Sequence, residues 1–245
     1  MTTWLLALDT STPRTALAVG HIDAATGSAH AVAEATHDDR GRPASAELAT
    51  RISALLAAAG VAPRELGAIA CGLGPGMFTG SRVALATAKG LALGLGCPLF
   101  GLSTLAIVAG AERVRGSVLA LLDARRGDVY AAAFQLGDAG PERLSEDRCC
   151  PLEQVLAELP PAFVAEARAV GPGVAVASAL PSELLARSLA VPGADAPGLW
   201  AAAARAALHE APVDVATVDA VYLRASYAEL GLNTPKRPPY RSPFV

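Results

Sequence analysis

Two segments of this chain carry the same pattern of apolar strand, acid-bearing turn and returning apolar strand. Trp4 to Leu8 is apolar, Asp9-Thr10-Ser11-Thr12-Pro13 reads as a turn, and Thr15 to Val19 is apolar again. Val118 to Leu122, Asp123 to Asp128 and Val129 to Phe134 repeat the pattern, with Asp9 and Asp123 114 residues apart. Asp, Ser and Thr hydrogen-bond their own backbone in such turns, and the flanking runs have strand length. A lone hairpin does not build a stable core. Its recurrence therefore predicts a duplicated unit and two related α/β lobes. The expected division is a first lobe over 1–110, a smaller second lobe over 111–230, and a tail over 231–245. The length of 245 residues suits one large or two small domains.

Between the hairpins the apolar period changes. A third strand is expected over 29–35 and a polar loop over 38–43. From Ser45, residues Leu48, Ile52, Leu55, Leu56 and Ala59 follow helical spacing and stop at Gly60. Ala68 to Leu73 reads as a buried strand, ended by Gly74-Pro75-Gly76. A second helix is expected from about Thr79 to Leu93. Past Arg82 its only charge is Lys89, so most of its sides should be covered. Gly80, Ala84, Ala88 and Ala92 form a small-residue stripe suited to close packing against another helix. Leu99 to Leu102 is a brief strand, and Ser103 caps a third helix running to Ala111.

Gly90 to Ala111 carries no charge, yet Pro98 and Gly94, Gly96, Gly101 and Gly110 divide it into helix, strand and helix. No membrane span is expected. Pro160-Pro161, Gly171-Pro172-Gly173 and Pro192-Gly193 leave only short elements in the second half. A late helix follows, clearest from Leu199 to Leu208. Extended to 199–211, it has the reach to return to the first lobe. From Gly231 the chain is Pro-rich and carries Lys236, Arg237 and Arg241, which reads as an extended, solvated tail.

Charge and chemistry narrow the function. Lys and Arg total 20 against 23 Asp and Glu, the sequence pI is near 5.8, and there is no basic block. With five Phe, four Tyr and two Trp, few rings are available to stack on bases, so unaided tRNA or DNA binding is not expected. Cys71 and Cys97 sit in apolar settings and suggest buried thiols in a reducing compartment. No signal peptide is evident, so a cytoplasmic location is expected. His21, His30, His37 and His209 make no H-E-x-x-H, and no G-x-S-x-G elbow exists. No metal ligand set and no catalytic residue is assigned.

Gly74-Pro75-Gly76-Met77-Phe78-Thr79-Gly80-Ser81-Arg82 joins a strand to a helix but lacks the Gly-Lys-Ser/Thr ending of a Walker A loop. Two readings stay open. In one, free N–H groups at the helix start attract an anion, with Arg82 as a forked cation. In the other, the block is a tight crossover with Thr79 as N-cap. Asp9, Thr10, Ser11, Gly74, Gly76, Thr79 and Asp123 are thus the candidates for a residual nucleotide or anion cleft between lobes.

These pieces resemble the TsaB (YeaZ) family. The resemblance rests on Leu6-Ala7-Leu8-Asp9-Thr10-Ser11-Thr12, on Gly72 through Arg82, and on Lys89-Gly90-Leu91-Ala92. It continues in Gly101-Leu102-Ser103-Thr104-Leu105, Asp123-Ala124-Arg125 with Gly127-Asp128-Val129-Tyr130, and Val221-Tyr222-Leu223-Arg224. It implies the two-lobed actin/Hsp70/sugar-kinase (ASKHA) fold, each lobe resembling ribonuclease H. It also implies a role in making N6-threonylcarbamoyladenosine beside the tRNA anticodon. The chain would act there as a non-catalytic partner of the TsaD transferase, with the ATPase TsaE binding the pair. ATP and Mg would be used by the complex through those partners, with no cofactor held tightly by this chain. tRNA would be met only within the complex.

Ser11 and Ala124-Arg125-Arg126 stand where an active member needs glycine-rich phosphate turns. Gly171-Pro172-Gly173-Val174 replaces a Gly-Gly-x-x-x-Asn-type motif, and Ala44-Ser45 replaces the frequent His-Ser. The resemblance places the partner face, or a homodimer face for the chain alone, on Leu48, Ile52, Leu55, Gly80, Arg82, Val83, Ala84, Thr87 and Ala88. The alternatives are a stand-alone ATP-binding transferase or kinase and, least favoured, a peptidase.

Overall fold

The computed structural model describes residues 2–39, 44–175 and 180–224. In chain order the strands and helices of the first half are β1 (Thr2–Asp9), β2 (Arg14–Asp23), β3 (Ser28–Asp38), α1 (Ala44–Ala59), β4 (Leu66–Gly74), α2 (Phe78–Leu95), β5 (Leu99–Ser103) and α3 (Thr104–Ala109). The second half contains β6 (Gly116–Asp123), β7 (Asp128–Gly137), β8 (Gly140–Arg143), β9 (Arg148–Pro151), α4 (Leu152–Glu158), α5 (Pro161–Glu166), β10 (Arg168–Val170), α6 (Ser182–Ala186) and α7 (Ala196–His209).

The first sheet runs β3-β2-β1-β4-β5, with β1 antiparallel to β2 and parallel to β4. The second runs β10-β6-β7-β8, with β9 also on β7; β6 is antiparallel to β7 and parallel to β10. The hairpins β1–β2 and β6–β7 occupy equivalent places in the two sheets, and their bounds differ by the same 114 residues. Each lobe is an α/β unit whose mixed sheet is built on an antiparallel hairpin flanked by a parallel strand.

Alternation along the strands divides the interior into three cores. Leu6, Leu8, Leu17, Val19, Ile69 and Cys71 face outward from the first sheet toward α1 and α2. Leu5, Ala7, Ala16, Ala18, Ala68 and Ala70 face the opposite way. They meet Val118, Ala120 and Leu122 of β6 in a central core around α3 and α7. Leu119 and Leu121, the other face of β6, enter a third core with α4 and α6. The alanines matter because side chains this small let α7 approach β2 closely. One helix thereby lies against both sheets.

After α7 the chain turns back along the first lobe. Val213 N donates to Leu99 O at 2.8 Å, and Val221 N donates to Leu73 O at 2.8 Å. The uncharged stretch from Gly90 to Ala111 comprises the end of α2, β5 and α3. Among the described residues no helix is long and apolar enough to cross a membrane. The tail over 231–245 lies outside the described residues, as do residues 40–43 of the expected polar loop.

Candidate functional site

The turn after β1 is pressed beneath the glycine block. Asp9, Thr10, Ser11 and Thr12 are all buried. Ser11 Oγ donates to Asp9 Oδ1 at 2.6 Å, and Ser11 N donates to Oδ2 at 3.2 Å. Ser11 Oγ also shares a 2.7 Å hydrogen bond with Thr104 Oγ1. Thr10 Oγ1 donates to Gly80 O at 2.6 Å, and Met77 N donates to Ser11 O at 2.7 Å. A Cβ on Gly76 would lie 2.3 Å from Ser11 O, and one on Gly80 only 1.8 Å from Thr10 O. Glycine at both positions lets the two backbones touch. Gly74 ends β4 directly below the Val221 carbonyl.

This packing revises the cleft expected from sequence. Asp9, Thr10, Ser11, Gly74, Gly76 and Gly80 do come together, but as a closed seam, with the Ser11 and Met77 amides already donating within the chain. Thr79 is exposed and is not the helix cap; Met77 occupies the N-cap of α2 without a side-chain hydrogen bond. Asp123 is engaged in its own turn, accepting from Arg125 N at 2.7 Å and pairing with Arg125 Nη1 at 3.3 Å. Arg82 is held by two aromatic side chains. Its guanidinium lies 3.7 Å over the Phe78 ring, and Nε donates to Tyr222 Oη at 2.7 Å.

Burial dominates the electrostatics of the seam. It pushes the Asp9 carboxyl up to about 6, against the opposing pull of the two Ser11 donors. Burial, with the Asp9 charge adding to it, pushes the Cys71 thiol up to about 12, where it is inert as a nucleophile. Cys97 is only half-buried, contrary to the expectation from its apolar neighbours. Among the described residues, no three His, Cys, Asp or Glu side chains gather as a metal set.

The expected interface also needs correction at most of its positions. Leu48, Ile52 and Leu55 point into the core beneath α1. Gly80, Ala84 and Ala88 are buried as well, the two alanines with 0% exposure. The small-residue stripe is used within the chain, where α2 lies against β4 and beside α1. Arg82 remains exposed, and Val83 and Thr87 partly so.

What sequence reasoning missed is the outward face of the same helix pair. Ala49, Ser53, Ala54 and Ala57 of α1, with Ala86, Gly90 and Leu93 of α2, are exposed, Leu93 at 70%. None is charged. The charges on α1 are Glu47 and Arg51, and Arg51 is paired with Glu47 and Asp39 at 2.6 Å each. The readable signal was a pair of helices whose exposed positions are mostly Ala, Ser, Thr and Gly, with Glu47, Arg51, Arg82 and Lys89 as their charges.

The segment Val221-Tyr222-Leu223-Arg224 ties the lobes together at the end of the seam. Tyr222 meets Arg82 on the first lobe. Arg224 donates to the carbonyls of Ala124 and Arg125 on the second and forms an ion pair with Asp128.

The family model described as "TsaD: tRNA N6-adenosine threonylcarbamoyltransferase" matches residues 39–230. The tRNA threonylcarbamoyladenosine biosynthesis protein TsaB of Escherichia coli is 45% identical over 89 residues, 35% of this chain and 38% of that protein. TsaB of Bacillus subtilis is 30% identical over 145 residues, 59% of this chain and 60% of that protein. The chain thus spans less than two thirds of either curated relative. A solved structure of YeaZ from Pseudomonas aeruginosa is 30% identical, with a TM-score of 0.76, covering 90% of this chain and 100% of that one.

Proposed function

Since the chain belongs to the TsaB (YeaZ) family, we propose that it serves tRNA N6-threonylcarbamoyladenosine synthesis as a non-catalytic subunit. It pairs with a TsaD-like transferase through the outward face of α1 and α2. A TsaE-like ATPase joins the pair, ATP and Mg enter through those partners, and tRNA is met only in the assembled complex. Without the transferase, the same face forms a homodimer.

The observation that carries this reading is the composition of that face. Two adjacent helices expose Ala, Ser and Gly with Leu93, a surface poorly suited to water and well suited to close helix packing. The sealed Asp9 turn favours a supporting role over turnover by this chain.

The test is light scattering behind a sizing column, with the chain alone and mixed with the TsaD-like protein of the same genome. The wild-type chain is expected to shift to a heterodimer. The double substitution Ala54→Arg with Ala86→Arg places two charges on exposed positions and should abolish both pairings while the monomer keeps a native circular-dichroism spectrum. Persistent pairing by the double variant would remove this face from the proposal. A second expected result concerns ATP. A ligand that binds the native state must raise its stability. The isolated chain is expected to show no melting shift at about 5 mM ATP-Mg, and a clear rise would restore the stand-alone transferase reading.

A further inference from the structure

A cavity of about 430 Å³ opens between β3, the connection at 111–115, the β7–β8 turn and α7. It shares no residue with the Asp9 seam. Its inner wall is apolar, made by Trp200, Val114, Leu136 and Leu208. The indole of Trp200 lies against β2 at Gly20, where a Cβ would come within 2.6 Å of Cη2. The volume falls in the range of about 300–1,000 Å³ usual for small-molecule sites.

The polar groups of this cavity do not balance. Arg113 Nη2 donates to Glu34 Oε2 at 2.9 Å. Arg115 lies 3.6 Å from Asp138 and donates to Gly137 O. Two groups are left over. Glu34 Oε1 is buried and accepts no hydrogen bond from the described residues. Arg205 is half-buried on α7 and has no hydrogen-bond or ion-pair partner among the described residues. A buried acceptor without a donor and a partly desolvated guanidinium without an acceptor are both unfavourable. One ligand relieves both if it carries an anionic group and a hydroxyl. Three arginines against two carboxylates leave the lining with one positive charge in excess, which favours an anionic ligand.

We propose that this cavity binds a small phosphate ester bearing hydroxyl groups, of the sugar-phosphate class. The phosphate sits on Arg205, and a hydroxyl donates to Glu34 Oε1. This assignment is independent of the partner face on α1 and α2.

Calorimetric titration of the full chain with ribose 5-phosphate tests it, with inorganic phosphate in parallel. Saturable binding is expected for the sugar phosphate, weakened about tenfold or more by Arg205→Gln, the loss of one charge-assisted contact. Arg205 has no partner among the described residues, so its replacement should leave the melting temperature unchanged. Glu34→Ala should weaken ribose 5-phosphate and leave inorganic phosphate untouched. Absence of saturable binding up to about 10 mM, or equal binding by Arg205→Gln, overturns the site. Inorganic phosphate binding as tightly as the ester overturns the role given to Glu34.

Discussion

Replacing Gly80 with alanine is expected to destabilise the protein by about 3 kcal/mol or more. The new methyl would lie 1.8 Å from the carbonyl oxygen of Thr10. That oxygen is main chain and cannot rotate away. Either α2 must lift from β4 or the turn after β1 must move. Both responses strain the Thr10-to-Gly80 hydrogen bond at 2.6 Å and the Met77-to-Ser11 bond at 2.7 Å. Gly90→Ala supplies the contrast on the same helix. A Cβ there meets nothing within 4 Å, so the lost flexibility of the unfolded chain should stabilise by about 0.5–1 kcal/mol. Urea midpoints of the two variants, moving in opposite directions, are the measurement. Equal effects would show that the seam is looser than its geometry.

The second large effect is a pH dependence that runs against ordinary acid denaturation. Asp9 titrates near 6 in the folded state, above its value of 3.8 when exposed, because burial disfavours its charge. Between those values the native state holds more protons than the unfolded chain. Stability therefore falls as pH rises through that interval and levels off above about 6. The Asp9 contribution is about 3 kcal/mol, at about 1.4 kcal/mol per pH unit. Asp9→Asn should remove this component. The amide can accept from Ser11 N and donate to Ser11 Oγ, while the serine hydroxyl turns to Thr104 Oγ1. Unfolding free energies at pH 4.5, 5.5, 6.5 and 7.5 (chosen to bracket the transition) would show the wild type losing stability relative to Asp9→Asn. A constant difference across the series would mean that Asp9 keeps an ordinary carboxyl affinity for protons.

The repeated hairpin was legible because each copy has its own period-two pattern and its own acid-bearing turn. The first helix pair was legible for a similar reason, since Leu48, Ile52 and Leu55 mark a helical face. Which surface a stripe such as Gly80, Ala84 and Ala88 addresses was not legible. Small residues at i, i+4 spacing read the same whether a helix approaches its own sheet or a partner. The strands β8, β9 and β10, at four, four and three residues, are too short for a period to register. The turn after Asp9 was legible as a turn, because Asp, Ser and Thr cluster between two apolar runs. Its closure depends on distances between residues 10 and 80, which no local pattern encodes. The cavity near Arg205 escaped for the same reason, being assembled from residues 34, 113 and 205 with no motif among them.

The tie made by Tyr222 and Arg224 has a consequence for how the molecule comes into being. Synthesis proceeds from the N-terminus, and domains tend to fold as they emerge. Here the groups that join Arg82 on one lobe to the Ala124–Asp128 turn on the other belong to the last of the described residues. The helix between the sheets, α7, is also a late arrival. Both hairpins are therefore translated long before the pieces that fasten them. The nascent chain must carry two exposed apolar sheet faces until α7 and the segment through Arg224 have been made. The interval before closure, more than the finished protein, is where this sequence is most open to wrong association.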